Sequence, residues 1–322
     1  MTDSIKVLFA AAEASPLVKA GGLGDVIGSL PKALRRAGHD IRIILPNYGV
    51  INLEGYSSRS LGSSSVPFMG SNDRIEVNAV NIKDGVPVYL IDNWTYFHRS
   101  SIYGEQDDLQ RFLFFSYSVM EALKIVNWQP DILHCHDWHT GIIPALLKVA
   151  YRDDPFFAHC SSVFTIHNIA YQGWFDDFFA EKADLHRFLP RIDDPLRSKT
   201  YSMTGLGIYH SDVVSTVSDN YANEILTPEY GEGMEELILS RRDSLFGIVN
   251  GIDYDEFNPA TDSHIAVQYN VNSIEKRVQN KFALQNKAGL SVNQEIPLIG
   301  MAGRLVEQKG IDIAIKAIES LL

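Results

Sequence analysis

The chain has 322 residues, 45% hydrophobic and 21% charged, with a formal net charge of -12 at pH 7. This length allows two domains with full cores, and the acidic balance argues against a nucleic-acid or anionic-membrane surface, either of which wants a basic face. No apolar run approaches the roughly 18–20 residues of a spanning helix, no charged-then-apolar leader opens the chain, and the two cysteines, Cys135 and Cys160, sit in apolar strand-like segments and read as reduced buried thiols.

In chain order, residues 5–12 are near-continuously apolar, as a strand buried on both faces should be. The turn Lys19-Ala20-Gly21-Gly22-Leu23-Gly24-Asp25 follows, then Val26, Ile27, Leu30 and Leu34 at helical spacing, with Gly38 placed to end the helix as its C′ residue. Ile41, Ile43, Ile44 and Leu45 form the next strand, completing one βαβ unit. The Ser- and Gly-rich stretch 52–73 reads as a loop or insertion. Residues 74–82 and 86–91 alternate in polarity and are joined by Lys83-Asp84-Gly85, a hairpin signal. An aromatic, polar segment over 93–108 then leads into a long helix over 109–126.

From Pro130 the α/β rhythm returns. The pattern predicts strands over 131–136, 162–167, 213–217 and 245–249, a helix over 138–149, and a helix to Leu226 capped by Ser218. Residues 250–262, with Gly251, Asn258 and Pro259, read as an interdomain connection. A charged amphipathic helix over 273–289, a buried strand over 297–303, a turn over 304–309 and a helix over 311–322 then begin a second α/β domain. One strand and two helices cannot close a core, so the second domain is expected to be incomplete.

The glycine turn stands where α/β proteins bind anions. Glycines let backbone N–H groups approach a phosphate, the helix N-terminus favours negative charge, and Lys19 adds a cation. A dinucleotide-binding turn would need Gly-x-Gly-x-x-Gly and an acid about 20 residues on to hold the ribose. Here the spacing is Gly-Gly-x-Gly and the second strand ends in Leu45-Pro46-Asn47, so a nicotinamide enzyme is disfavoured. A Walker loop fails for want of Gly-Lys-Ser/Thr.

The turn resembles the Lys-x-Gly-Gly-Leu-Gly-Asp signature of bacterial glycogen synthases and plant starch synthases. The resemblance continues through His134-Cys135-His136-Asp137-Trp138-His139-Thr140-Gly141, Thr165-Ile166-His167-Asn168-Ile169-Ala170-Tyr171-Gln172-Gly173, Asn250-Gly251-Ile252-Asp253 and Gly303-Arg304-Leu305-Val306-Glu307-Gln308-Lys309-Gly310. Motifs in the family's order thus span essentially the whole chain. The resemblance implies a two-domain retaining glycosyltransferase of the GT-B type: a Rossmann-like, doubly wound N-terminal domain over 1–250 on the acceptor side, then over 251–322 a linker and the incomplete start of a second Rossmann-like domain that binds the nucleotide sugar. The implied reaction passes glucose from ADP-glucose (UDP-glucose in some relatives) to the non-reducing end of an α-1,4-glucan, glycogen or starch, with retention. The implied setting is bacterial cytoplasm or plastid stroma.

Such a reaction must neutralise charge growing on a departing diphosphate. Arg304 and Lys309 flank a strand-to-helix turn and are suited to it, the one as a fork and the other as a point charge. Lys19 and the N–H groups of Gly21 and Gly22 would face the diphosphate or the acceptor, and Asp25 and Asn250 are carried over as substrate-binding with their motifs. His167 ends a buried strand, and the resemblance places it at the donor glucose near the 6-hydroxyl, with its carbonyl by the anomeric carbon; a histidine bonded to a loop carbonyl is the plainer reading. Asp137 and Trp138 belong by resemblance to the sugar region, although Trp138 could equally be core. Tyr103 is a weaker carry-over.

His134, His136, Asp137 and His139 invite a metal reading, because His134 and His136 share a strand face. Cys135 points away and His139 lies past the strand end, and the resembling family needs neither metal nor cofactor, so none is expected. Glu224 and Glu232 imitate a Glu-x7-Glu pair of related enzymes but flank Thr227-Pro228, and are read as coincidence. The alternative to a transferase is a non-catalytic glucan-binding fragment of the same family.

Overall fold

The structure is a computed structural model that describes residues 4–82, 85–303 and 309–321. It divides into two compact units, Met1–Gly251 and Ile252–Leu322.

The first unit is built on a nine-stranded sheet: β1 (Lys6–Ala10), β2 (Asp40–Pro46), β3 (Arg59–Phe68), β4 (Ser71–Asn81), β5 (Pro87–Asp92), β6 (Ile132–His136), β7 (Ser161–Ile166), β8 (Val213–Thr216) and β9 (Leu245–Gly247). Their spatial order is β3-β4-β5-β2-β1-β6-β7-β8-β9. Seven neighbours run parallel from β5 to β9, while β3 and β4 pair antiparallel at one end. The chain winds from β1 outward through β2 on one side and from β6 outward on the other. The order therefore reverses between β1 and β6, and that switch point is where doubly wound sheets leave a crevice at the carboxyl ends of their strands.

The alternation of β1 shows why both faces are covered. Val7 and Phe9 join Ile41, Ile43 and Leu45 under helix α1 (Gly22–Arg36), which contributes Leu23 and Ile27. Leu8 and Ala10 point the other way, joining Ile44, Leu133, Cys135 and Phe164 beneath helix α2 (Asp108–Val126) with its Leu113, Phe114, Phe115 and Val119. Parallel strands buried on two sides need this continuous apolar sequence. Gly38 takes φ +100° directly after the α1 cap residue Ala37, as predicted. Asn127 ends α2 in the left-handed region at φ 48°.

Three expectations change. The Ser-rich stretch is not simply a loop; residues 59–68 of it are β3, an edge strand paired with β4 from Arg59↔Ala79 to Phe68↔Ser71. An edge strand buries few residues, here Val66 and Phe68, so serines fill its outward positions. The expected helix over 138–149 is broken into a 3-10 turn (Trp138–Thr140), a short α-turn (Ile143–Ala145) and a π-turn (Leu146–Ala150). The break sits where Gly141 meets the backbone of helix α3 (Met203–His210). The hairpin of β4 and β5 forms, with Lys83 and Asp84 outside the described residues.

Ser218 caps helix α4 (Asp219–Glu224) by accepting from the Tyr221 N–H. The second unit holds a 3-10 turn (Val271–Lys276) running into helix α5 (Arg277–Lys287), and helix α6 (Ile311–Leu321). The predicted buried strand over 297–303 has no regular secondary structure, with Ile299 70% and Met301 56% exposed. A parallel strand needs a neighbour to pair with, and none of the described residues of this unit supplies one. Among the described residues no helix is long and apolar enough to cross a membrane.

Candidate active site

The residues of three of the five motifs gather at the carboxyl ends of β1, β6 and β7, beside the switch point. The glycine turn leaves β1 and starts α1, Asp137 and Trp138 follow β6, and His167 follows β7.

At the turn, Lys19 Nζ lies 2.6 Å from Asp25 Oδ1, with both side chains partly exposed at 45% and 40%. A pair this open is worth at most about 1 kcal/mol, so either group is readily given up to a charged ligand. The turn's amides are used differently from the sequence expectation. Ala20 N–H and Gly21 N–H donate to Glu13 Oε2 at 2.5 and 2.9 Å, so the Gly21 amide proposed for a phosphate already holds a carboxylate. Glu13 Oε1 accepts from the Tyr103 hydroxyl at 2.9 Å. Tyr103 is carried on a segment held by buried Arg111, which donates to the Ile102 carbonyl at 3.0 Å and pairs with Asp108 at 2.9 Å. Burial raises the Tyr103 pKa far above its ordinary value, with the Glu13 charge adding to it, so the phenol stays protonated as a donor.

Asp137 occupies a left-handed backbone conformation, φ 55°, that non-glycine residues rarely adopt. It is held there because its N–H donates to the Thr165 carbonyl at 3.0 Å, while its Oδ1 accepts from His167 N–H at 2.8 Å and Asn168 N–H at 3.3 Å. The carboxylate thus binds the main chain just past β7 and sets its path. Burial pushes the Asp137 pKa up, against the opposing pull of His167 and the two amides.

His167 is also held through its ring, Nε2 lying 3.0 Å from His136 Nδ1, a bond in which one nitrogen carries the proton. His136 stacks on Phe9 at 5.4 Å and lies 4.1 Å from the His134 ring. His134 Nε2 meets Thr165 Oγ1 at 2.6 Å, and Thr165 in turn meets Ser215 Oγ at 2.6 Å. Burial lowers the pKa of each: His134 to about 3, His136 well below the ordinary value, and His167 by less, because Asp137 and Glu13 oppose the shift. These imidazoles are therefore neutral near pH 7. His136 Nδ1 and His167 Nε2 bond each other, His134 Nε2 bonds a hydroxyl and His136 Nε2 is buried without a partner, and no group of three or more His, Cys, Asp or Glu suited to a metal occurs among the described residues.

Trp138 is half-buried. Gly173, at φ +62°, approaches its indole so closely that a Cβ there would stand 2.4 Å from the ring, and His139 packs alongside with centroids 4.3 Å apart. One indole face is thus closed by protein, which reduces the room for the expected sugar stacking and favours packing as its larger role. Asn250 is exposed, past β9 at the end of the first unit. Lys309 is exposed in the second unit, and Arg304 lies outside the described residues.

Sequence reasoning missed Glu13 and weighed His136 only as a metal ligand. A lone carboxylate ending an apolar run, six residues before the turn's lysine, is the signal that could have exposed Glu13, because a buried charge must find donors.

The sheet order, with its motif residues at the switch point, is that of a Rossmann-like α/β domain of the GT-B type. The pattern of the starch synthase catalytic domain matches residues 6–240. Over 326 aligned residues the chain is 45% identical to the glycogen synthase of Clostridium perfringens, covering 99% of this chain and 66% of that protein. Identity to the glycogen synthase of Geotalea daltonii is 43%, over 96% of this chain and 65% of the relative. The fold superposes with a TM-score of 0.88, at 34% identity, on the catalytic domain of starch synthase IV from Arabidopsis thaliana bound to ADP and acarbose, covering 99% of this chain and 66% of that one. The chain belongs to the starch synthase catalytic domain family. It spans about two thirds of the length of these relatives.

Proposed function

We propose that the protein containing this chain transfers glucose from ADP-glucose to the non-reducing end of an α-1,4-glucan with retention of configuration. The observation that carries the reading is the close superposition on a starch synthase domain bound to ADP and acarbose, joined to the polar side chains gathered at the switch point, where doubly wound sheets bind their ligands. ADP is what ADP-glucose leaves behind, so a relative holding it supports that donor over a nicotinamide or a simple phosphate ester.

In this reading the 1–250 region is the acceptor side and 251–322 begins the nucleotide side. Lys19, Gly22 and Asp25 face the charged part of the substrates, with Lys19 exchanging Asp25 for a phosphate oxygen. His167 contacts the donor glucose, and Asp137 fixes the His167 main chain so that its carbonyl stands by the anomeric carbon, where positive charge develops. Arg304 and Lys309 neutralise the departing diphosphate. That diphosphate then accepts the proton of the attacking 4-hydroxyl on the same face of the sugar. Tyr103, Trp138 and Asn250 shape the surroundings. The reaction needs no metal or cofactor, and takes place in the cytoplasm of a bacterium or in a plastid stroma.

The test is incorporation of labelled glucose from ADP-glucose, with UDP-glucose alongside, into glycogen. Transfer from ADP-glucose supports the reading. Binding of glycogen without transfer by the intact protein would favour a glucan-binding module, and neither binding nor transfer would remove both.

A further inference from the structure

Glu13 is sealed in the interior, 3% exposed, on the connection between β1 and α1. A carboxylate taken out of water is tolerated only where donors surround it, and here they come from two separate parts of the chain. Oε2 accepts the Ala20 and Gly21 amides, and Oε1 accepts the Tyr103 hydroxyl, 90 residues away in sequence.

The same carboxylate accounts for the glycine pattern of the turn. A Cβ on Gly24 would stand 3.1 Å from Glu13 Oε2 and 3.0 Å from Lys19 Cγ, closer than most real Cβ contacts. A Cβ on Gly21 would stand 3.7 Å from Glu13 Oε1. A Cβ on Gly22 would meet nothing within 4 Å. The inner side of the turn is therefore shaped around Glu13, and the open side is the one that carries Gly22.

We propose that Glu13 is a positioning residue, an internal anion that occupies the inner amides of the glycine turn, ties the turn to Tyr103, and so presents Lys19 and Gly22 to the nucleotide-sugar donor. The role of the donor rests on the proposed function; the internal tether does not. Without the carboxylate, the Ala20 and Gly21 amides would compete for water or for substrate phosphate, and the turn would no longer hold one shape.

The experiment measures amide hydrogen exchange over residues 19–25 of the intact protein, with glucose-transfer kinetics beside it, in the parent, Glu13→Gln, Glu13→Ala and Tyr103→Phe. Exchange at Ala20 and Gly21 is expected to rise at least tenfold in Glu13→Ala, with residues 6–10 unchanged. Glu13→Gln should stay within a few-fold of the parent, because its amide oxygen still accepts. Transfer kcat/KM should fall at least tenfold in Glu13→Ala, mostly through a higher KM for the donor, and Glu13→Gln should recover most of it. Tyr103→Phe should cost less and should cost nothing further when added to Glu13→Ala. Unchanged exchange at residues 20 and 21 in a folded Glu13→Ala protein overturns the proposal, as does faster exchange with unchanged donor KM. Should Glu13→Ala not fold, Tyr103→Phe decides: exchange at Gly21 rising threefold or more supports the tether, and no rise overturns it. If the parent transfers no glucose, the proposed function falls while the exchange measurement still decides the tether.

Discussion

Asp137 combines a rare backbone conformation with a carboxylate that bonds the main chain of another strand's end. The conformation costs on the order of 1–3 kcal/mol and persists only where the surroundings over-determine it; here the Thr165 carbonyl and the His167 and Asn168 amides do so. Asp137→Ala should leave the fold intact but cut glucose transfer by about a hundredfold or more, in the range seen when one preorganised electrostatic group is removed. Asp137→Asn, which keeps an accepting oxygen, should retain clearly more activity, and equal rates for the two would show that the main-chain bonds are not what the carboxylate supplies. The buried imidazoles make a second prediction. His134 and His139 are both held near a pKa of about 3 by burial, against 6.5 when unfolded. Between those values the unfolded chain binds more protons, so stability rises with pH across the window and is lost as pH falls from 6.5 toward 3. Thermal midpoints measured from about pH 7 down to about pH 4 should fall steadily, with a shallower slope in His134→Gln; a flat profile would count against neutral buried rings. At this scale the sequence reading named Lys19, Asp137 and His167 because motifs mark them. It passed over Glu13 because, among Ala10, Ala11, Ala12 and Ala14, a carboxylate looks like a strand end meeting water.

Among the elements, backbone contact rather than side-chain packing sets the break after β6. A Cβ on Gly141 would stand 2.1 Å from the Met203 carbonyl oxygen at the start of α3. Main chain cannot swing aside as a flexible side chain can, so Gly141→Ala should destabilise the protein by about 1–3 kcal/mol or more. Gly22→Ala, with open space at its Cβ and a place in the first turn of α1, should be near neutral. Urea midpoints of the two variants make the comparison, and similar midpoints would refute the close-contact argument. The βαβ core was legible because buried parallel strands and amphipathic helices write their period into the sequence. The edge strand β3 was not, because its serines record exposure rather than conformation. Residues 297–303 failed in the opposite direction, since an apolar run shows what a segment could bury and not whether a partner strand is present.

On the scale of the whole molecule, all three buried apolar clusters lie within the first unit. In the second, Gln285 is the only buried residue among those described. A fragment ending at Gly251 should therefore unfold in a single cooperative transition and resist proteolysis, while residues 252–322 alone should show neither behaviour. Calorimetry and limited proteolysis on the two fragments would reveal a mistake if the first melted without cooperativity.

The place of β1 in mid-sheet also bears on the order of synthesis. Five adjacent strands, β3-β4-β5-β2-β1, come from residues 6–92, and β6, the other neighbour of β1, comes only after α2. A ribosome adding about 5–20 residues per second needs about 2–9 s to run from Asn93 to His136. During that interval the nascent half-sheet shows water an unpaired edge bearing Val7, Leu8, Phe9 and Ala10, the kind of surface that recruits chaperones or a second nascent chain. Chains stalled near residue 110 should crosslink to a chaperone more strongly than chains stalled well past β6, and the strand at the centre of the finished sheet would then be the last of its half to be sheltered.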